Sequence, residues 1–427
     1  MAQTPPAPLV AVGGPTAELY PGDVATIVRV LADCVVQAGA RRVLLVPPDH
    51  TRLHSRAGEI TTALLGVLDL EVERVDVMPA LGTHRPLGPA EAKLMFGDAI
   101  PAARLLEHRW RYDVRTIGEL PVEEVDEVLG QPLGLSLPVT VNHALVDGRY
   151  DLVVSIGQVV PHEVAGFGGY TKHLEIGLGG GETIQRSHFI GAVHGIEQTM
   201  GAADAPVRRL LDTAFDRILE PRCAVLFVLT VVESQPEGPV LRGVYAGVGG
   251  TKGSGGAAFR AATALSEHVN ITTVDEPFET CVASLDADEY HSTWLGNKAI
   301  YRTRRAMADG GELYVLAPGV TRFGEDEVVD RLIRRHGYRG TGEALAAMAA
   351  DPELAANLAA VAHLIHGSTE GRFEVVYCPG PGLSREEVEG VGYRYLPFEQ
   401  ARRRFGLEGH PGVAYVRDPG LGLWRSR

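Results

Sequence analysis

Between Pro161 and His188 the chain reads PHEVAGFGGYTKHLEIGLGGGETIQRSH. One lysine, Lys172, lies between two glycine clusters, and His162, His173, His188 and His194 fall within 33 residues. Histidines at that density suit a metal or an acid/base site. No HxH or HxxxH pair marks a self-contained chelate, however, so protein ligands alone make a poor zinc site. The glycines, Gly168 and Gly169 among them, let backbone N–H groups come close to a phosphate or a flat ring. Lys172 can neutralise a phosphate or bond covalently to a bound group. Two earlier loops carry related chemistry. PPDHTR (Pro47–Arg52) offers Asp49 to a sugar hydroxyl and the Arg52 fork to a substrate carboxylate; it reads equally as an Asp-initiated turn with a solvated arginine. LGTHRP (Leu81–Pro86) presents His84, a general acid/base where a second titrating group faces it.

These residues must be delivered by regular elements. RVLLVPP (Arg42–Pro48), DLVVSIG (Asp151–Gly157), CAVLFVLTVV (Cys223–Val232), ELYVLAPG (Glu312–Gly319) and FEVVYCPG (Phe373–Gly380) read as buried strands. Gly22–Gly39, Gly256–Val269, Asp326–Gly337 and Pro352–Gly367 place apolar residues at helical spacing. Alternation of the two argues for α/β sheets with ligands at the carboxyl ends of strands. PPDHTR follows one strand and His162 another. GVGGTKGSGG (Gly247–Gly256) lacks the GxxxxGK[ST] order and VAVGGPT lacks GxGxxG, so both read as structural turns. The strand–helix alternation restarts after the first of these. That predicts an N-terminal α/β domain over 1–265 and a C-terminal one over 266–427.

A formal charge of −14 argues against a nucleic-acid or anionic-membrane surface, so an anionic substrate must be held by a few local cations. Cys34, Cys223, Cys281 and Cys378 are too dispersed for a thiolate metal site and read as reduced core thiols. No apolar run of membrane-spanning length and no signal-like start is visible, which gives a cytoplasmic expectation.

DHTR at Asp49–Arg52, GTHRP at Gly82–Pro86, PHxxAGFxGxxK at Pro161–Lys172, His188 sixteen residues on and Lys298 occur in the order of the nickel-dependent lactate racemases, which the chain resembles along nearly its whole length. The resemblance implies two α/β domains with the active site in the cleft between them, and the nickel-pincer nucleotide (pyridinium-3-thioamide-5-thiocarboxylic acid mononucleotide) as cofactor. Lys172 would hold it through a thioamide and His188 would be the protein ligand to nickel, the cofactor's two sulfurs and one carbon completing the donors. Asp49 would contact its ribose region, with Thr51, Gly168 and Gly169 as further cofactor contacts. His84 and His162 would be the paired acid/bases that a racemase needs on either side of its substrate, and Arg52 and Lys298 would hold the substrate carboxylate. The implied partners are a small 2-hydroxy acid and the enzymes that build the cofactor and insert nickel.

The departures bear on substrate. FSGG is FGGY here, which predicts a ring, Tyr170, near Lys172. Trp294 and Leu295 stand where the family has Tyr-Gln, and the helix around ELAANLAAVAHL lacks the family's pocket tryptophan. An apolar pair favours a small aliphatic 2-hydroxy acid such as lactate or 2-hydroxybutyrate over a polyhydroxyl chain. A sugar-acid C2 epimerase, a zinc hydrolase and a non-catalytic nucleotide binder are the alternatives. His108, His173 and His194 are ambiguous: a hydrogen-bonded structural histidine is the favoured reading for each, and His108 is the best of the three for a supporting role.

Overall fold

The structure is a computed structural model that describes residues 6–235, 237–406, 410, 412–417, 419–420 and 422–427. The chain packs into two compact units, one of Met1–Ser187 with Met200–Asn270, the other of His188–Thr199 with Ile271–Arg427.

The first unit is built on a six-stranded mixed sheet. Its order is Val10–Gly13, Gly238–Val248, Val225–Gln235, Leu152–Gln158, Arg42–Val46, Arg74–Val77. The last four are mutually parallel and the first two run antiparallel at one edge. Every residue of Leu152–Gln158 is buried. Such a continuous apolar run is what a parallel strand covered on both faces requires. On one face the helices Pro21–Gln37 and Ala57–Leu68 lay Ile27, Leu31, Ile60 and Leu64 over Val154 and Ile156. On the other face Phe227 meets Phe259 of the helix Ser254–Asn270 through the ring of Tyr170.

The second unit carries a five-stranded parallel sheet ordered Arg394–Tyr395, Glu374–Pro379, Met307–Ala317, Phe278–Ser284, Ala414–Arg417. Both units are therefore α/β, as expected, and the five strands read from the sequence are present. One element differs. The helix expected over Pro352–Gly367 is two, Pro352–Ala355 and Leu358–Gly367. Asn357 leaves helical geometry (φ −128°, ψ 74°) and its side chain accepts from the Ala360 N–H, so it caps a new helix. Among the described residues no helix is long and apolar enough to cross a membrane.

Three neighbouring parallel strands matter for the site. Arg42–Val46 lies between Arg74–Val77 and Leu152–Gln158, and each runs out at the same edge into a loop bearing Asp49, His84 or His162.

Candidate active site

The strand Arg42–Val46 continues through two prolines, and Pro48 bridges Ala80 beyond the regular ladder. That bridge carries the following loop alongside, and Gly82 (φ 57°) turns it with its N–H on the Gly177 carbonyl at 2.8 Å. Asp49 caps the 3₁₀ helix His50–Ser55, taking the Thr51 N–H at 3.1 Å and the Thr51 hydroxyl at 2.5 Å on Oδ1. Its Oδ2 takes His84 Nδ1 at 2.5 Å. Asp49 is 3% exposed, and burial alone would raise its pKa. The His84 bond and charge, the Thr51 bond and the Arg52 charge outweigh it and hold the carboxyl at about 2. An ionised carboxylate has no proton to give, so Nδ1 is the donor and the ring's other nitrogen, Nε2, is left to face outward from the pair. The titrating partner sought for His84 is thus Asp49. Both carboxylate oxygens are engaged within the chain, so a ribose contact would use their remaining lone pairs.

A second carboxylate ties the same two loops. Glu91 accepts from the Gly88 N–H at 2.8 Å and from Arg85 Nη1 at 3.1 Å, and lies 3.3 Å from His50 Nε2. Nothing in the sequence singled it out.

The strand Leu152–Gln158 leads into a two-residue ladder in which Pro161 faces Phe167 and His162 faces Gly166. His162 Nδ1 accepts from the Val164 N–H at 3.1 Å, which leaves the proton of the neutral ring on Nε2. Glu163 Oε2 stands 3.9 Å from Nδ1, a counter-charge for the protonated ring.

Lys172 sits in the short helix Thr171–Glu175. Desolvation pushes its ammonium down to about 8, with Arg52 and Arg208 adding repulsion and Glu163 opposing. The segment around it is gripped by Arg208, which no motif announced. This buried guanidinium donates to the Phe167 carbonyl at 2.7 Å and the Thr171 hydroxyl at 2.8 Å, and Thr171 donates to Asp212 at 2.6 Å.

The glycines have internal duties. A Cβ on Gly169 (φ 75°) would stand 2.9 Å from the Gln158 carbonyl, and one on Gly181 would stand 2.8 Å from the Trp110 ring. Gly180 is crowded by Thr140 in the same way. The second glycine cluster is thus required by the chain's own packing. Gly247–Gly256 is likewise structural. Its Gly250 and Thr251 N–H groups donate to Glu220 at 2.9 Å and Asp216 at 3.0 Å, so carboxylates of the chain occupy the place a phosphate would take.

Tyr170 corrects an expectation. Its φ of 58° turns the ring inward, 1% exposed and stacked on Phe259 at 4.8 Å, so it adds no ring beside the lysine. Two other histidines have their ring environments filled by the chain. His173 Nε2 donates to the Val46 carbonyl at 3.2 Å, and burial holds it neutral with a pKa near 4. His108 receives Asn142 Nδ2 on Nδ1 at 2.9 Å and donates from Nε2 to the Gly179 carbonyl at 3.2 Å, also with a pKa near 4 through burial.

Glu175, beneath this segment, is fully buried and neither oxygen has a hydrogen-bond partner. Desolvation, then Asp212 and Asp216, raise its pKa well above 4.5 against the pull of Arg208. A carboxyl whose folded pKa is raised favours folding most below 4.5, and stability falls as pH climbs towards the folded value, by up to about 1.4 kcal/mol per unit. Glu175→Gln does not titrate there. Its melting temperature is expected to exceed that of the wild type at pH 8 and to match it near pH 4. Parallel melting curves across that range would contradict the assignment.

In the second unit, Trp294 and Leu295 lie half-buried in the helical turn Thr293–Gly296, and Lys298 opens the helix Lys298–Thr303. Asn297 between them is itself α-helical (φ −65°, ψ −4°), so Lys298 follows one turn after Trp294. Lys298 Nζ stands 5.6 Å from the centroid of the Tyr290 ring. His188 is half-buried on the helix Gly181–His194, within the stretch that packs with this unit.

The residues present suit a nucleotide that brings its own metal donors. Lys172 supplies an amine that is partly free near neutral pH. Gln158, buried at the strand end before His162, has both amide atoms without a partner, a cost of about 1–3 kcal/mol that a polar ligand reaching it would relieve. Among the described residues no group of three or more His, Cys, Asp or Glu is gathered to hold a metal.

Residues 31–201 match the family model of the lactate racemase N-terminal domain. A crystal structure of a Thermotoga maritima protein, a structural genomics target, superposes with a TM-score of 0.82 at 22% identity over 97% of this chain and 100% of that one. The lactate racemase apoprotein of Thermoanaerobacterium thermosaccharolyticum gives 0.70 at 16% identity, over 94% of this chain and 93% of that one. At these identities the likeness is one of fold. No curated protein matches.

Proposed function

Because residues 31–201 match the lactate racemase N-terminal domain, we propose that the chain is a racemase or epimerase of 2-hydroxy acids working with a nickel-pincer nucleotide held at Lys172. Lys172 carries this reading: a desolvated amine with a pKa near 8 lies in the same fold unit as the Asp49–His84 pair and His162. The bound nucleotide would supply the hydride acceptor and every nickel donor but the His188 imidazole. The remaining work falls to this chain. Arg52 and Lys298 bind the substrate carboxylate. His84 Nε2 receives the hydroxyl proton of one enantiomer, and Asp49 stabilises the imidazolium that forms. His162, as an imidazolium with Glu163 near its Nδ1, would return the proton to the hydroxyl on the side of the other enantiomer.

Trp294 and Leu295 offer no hydrogen-bonding partner to a hydroxylated chain beyond the indole N–H, so a small aliphatic acid is favoured over an aldonate. Tyr170 contributes nothing to that choice, being turned into the core. The test is mass spectrometry of the Lys172 peptide from protein made together with the cofactor-building enzymes. Chiral chromatography of lactate, 2-hydroxybutyrate, malate and gluconate follows on the same loaded protein. An unmodified lysine in folded protein, without bound nickel, would sink the reading. Epimerisation of gluconate alone would favour the sugar-acid alternative.

A further inference from the structure

Trp294 lies against a histidine that the proposed reaction does not use. The rings of Trp294 and His363 have centroids 4.4 Å apart and planes 31° from parallel. His363, on the helix Leu358–Gly367, is buried with both nitrogens engaged. The Tyr301 hydroxyl is 3.0 Å from Nδ1 and the Tyr338 hydroxyl 2.9 Å from Nε2. The donors can be ordered. Thr293 donates to the Phe323 carbonyl at 2.9 Å, so Tyr338, at 2.7 Å, donates to Thr293. Tyr338 then accepts from His363 Nε2, and Nδ1 accepts from Tyr301. One neutral imidazole satisfies the whole chain, and burial with the nearby His366 keeps it neutral, its pKa held down to about 3.

The clamp has a stiff backing. Tyr338 stacks on Tyr393 at 4.7 Å and 9°, and Tyr393 on Tyr377 at 5.6 Å and 7°. The Tyr393 hydroxyl donates to the Gly367 carbonyl at 2.8 Å and accepts Asn297 Nδ2 at 3.0 Å. Asn297 is the residue between the Trp294 turn and Lys298. Tyr338 thus reaches Trp294 twice, through His363 behind the indole and through Thr293 beside it.

We propose that His363 is a positioning residue that fixes the Trp294 indole as a rigid wall near Lys298 and so sets the size of side chain admitted on the 2-hydroxy acid. The inference rests on the reading of Trp294 and Lys298 as substrate-facing. A neutral partner matters because an imidazolium here would attract water and anions to an otherwise apolar wall. With the imidazole gone, the indole can fold back into the space it leaves, and a branched substituent fits where a methyl did.

The test uses His363→Ala and His363→Phe. Trp110→Phe and Trp424→Phe provide a background in which Trp294 is the sole tryptophan. Acrylamide quenching of the protein without cofactor reads the position of the indole. It is expected to rise for the alanine variant and to stay near the wild type for phenylalanine, which refills the space. In loaded enzyme, the kcat/KM ratio of 2-hydroxyisocaproate to lactate is expected to rise about tenfold for alanine, and little for phenylalanine. Unchanged quenching or an unchanged ratio in folded His363→Ala overturns the proposal. Loaded wild type that turns over no 2-hydroxy acid overturns the functional reading instead, and the quenching result then stands for the clamp alone.

Discussion

Lys172→Arg is expected to abolish turnover of every 2-hydroxy acid while leaving the fold intact. Arginine keeps a positive charge at this position, so electrostatic support for a phosphate would survive the change. What it removes is the free amine. With a pKa near 8, about a tenth of Lys172 is unprotonated at pH 7, whereas a guanidinium stays charged and is no nucleophile. Intact mass of protein made with the cofactor-building enzymes, beside chiral chromatography, reads both effects together. Wild-type turnover in the arginine variant would remove Lys172 from the chemistry. Melting should stay close to that of the wild type, because the Arg208 contacts that hold the segment use backbone carbonyls and Thr171.

His84→Asn should lower kcat by about 10²–10⁴-fold, the usual contribution of a positioned acid/base. Asp49→Asn should produce much of the same loss, and the double variant little more, because the two side chains act as one unit. Fully additive losses would show them to be independent. Stability should respond too. Asp49 has a folded pKa depressed to about 2, so its contribution is present above 3.8 and disappears as pH falls through about 2. Asp49→Asn is expected to cost about 1–2 kcal/mol at pH 7, reduced for the half-exposed partner. Urea unfolding from pH 7 to pH 3 should show that difference narrowing.

The strands were readable because Leu152–Gln158 and its neighbours are buried on both faces, which forces continuous apolar runs. Asp49, His84, His162 and Lys172 were readable as short motifs following strands. Their connections were not. The Asp49–His84 bond spans 35 residues and exists because two adjacent strands end at one edge. Arg208 reaches Phe167 and Thr171, and Glu91 reaches His50, across long stretches of sequence, and no local pattern records those contacts. The direction of Tyr170 was not readable for a related reason: it goes with a positive φ, which a non-glycine residue does not signal locally. Asn357 carried a usable signal, a capping residue followed by an apolar run, hidden by an unbroken helical periodicity.

Asp49 and Glu91 together lace the loop after one strand to the loop after the next. The conformational entropy of these side chains and of both loops is surrendered once, when the chain folds. On the proposed reading, a nucleotide or substrate arriving later would meet a base already aimed, and its affinity would not be eroded by ordering that base.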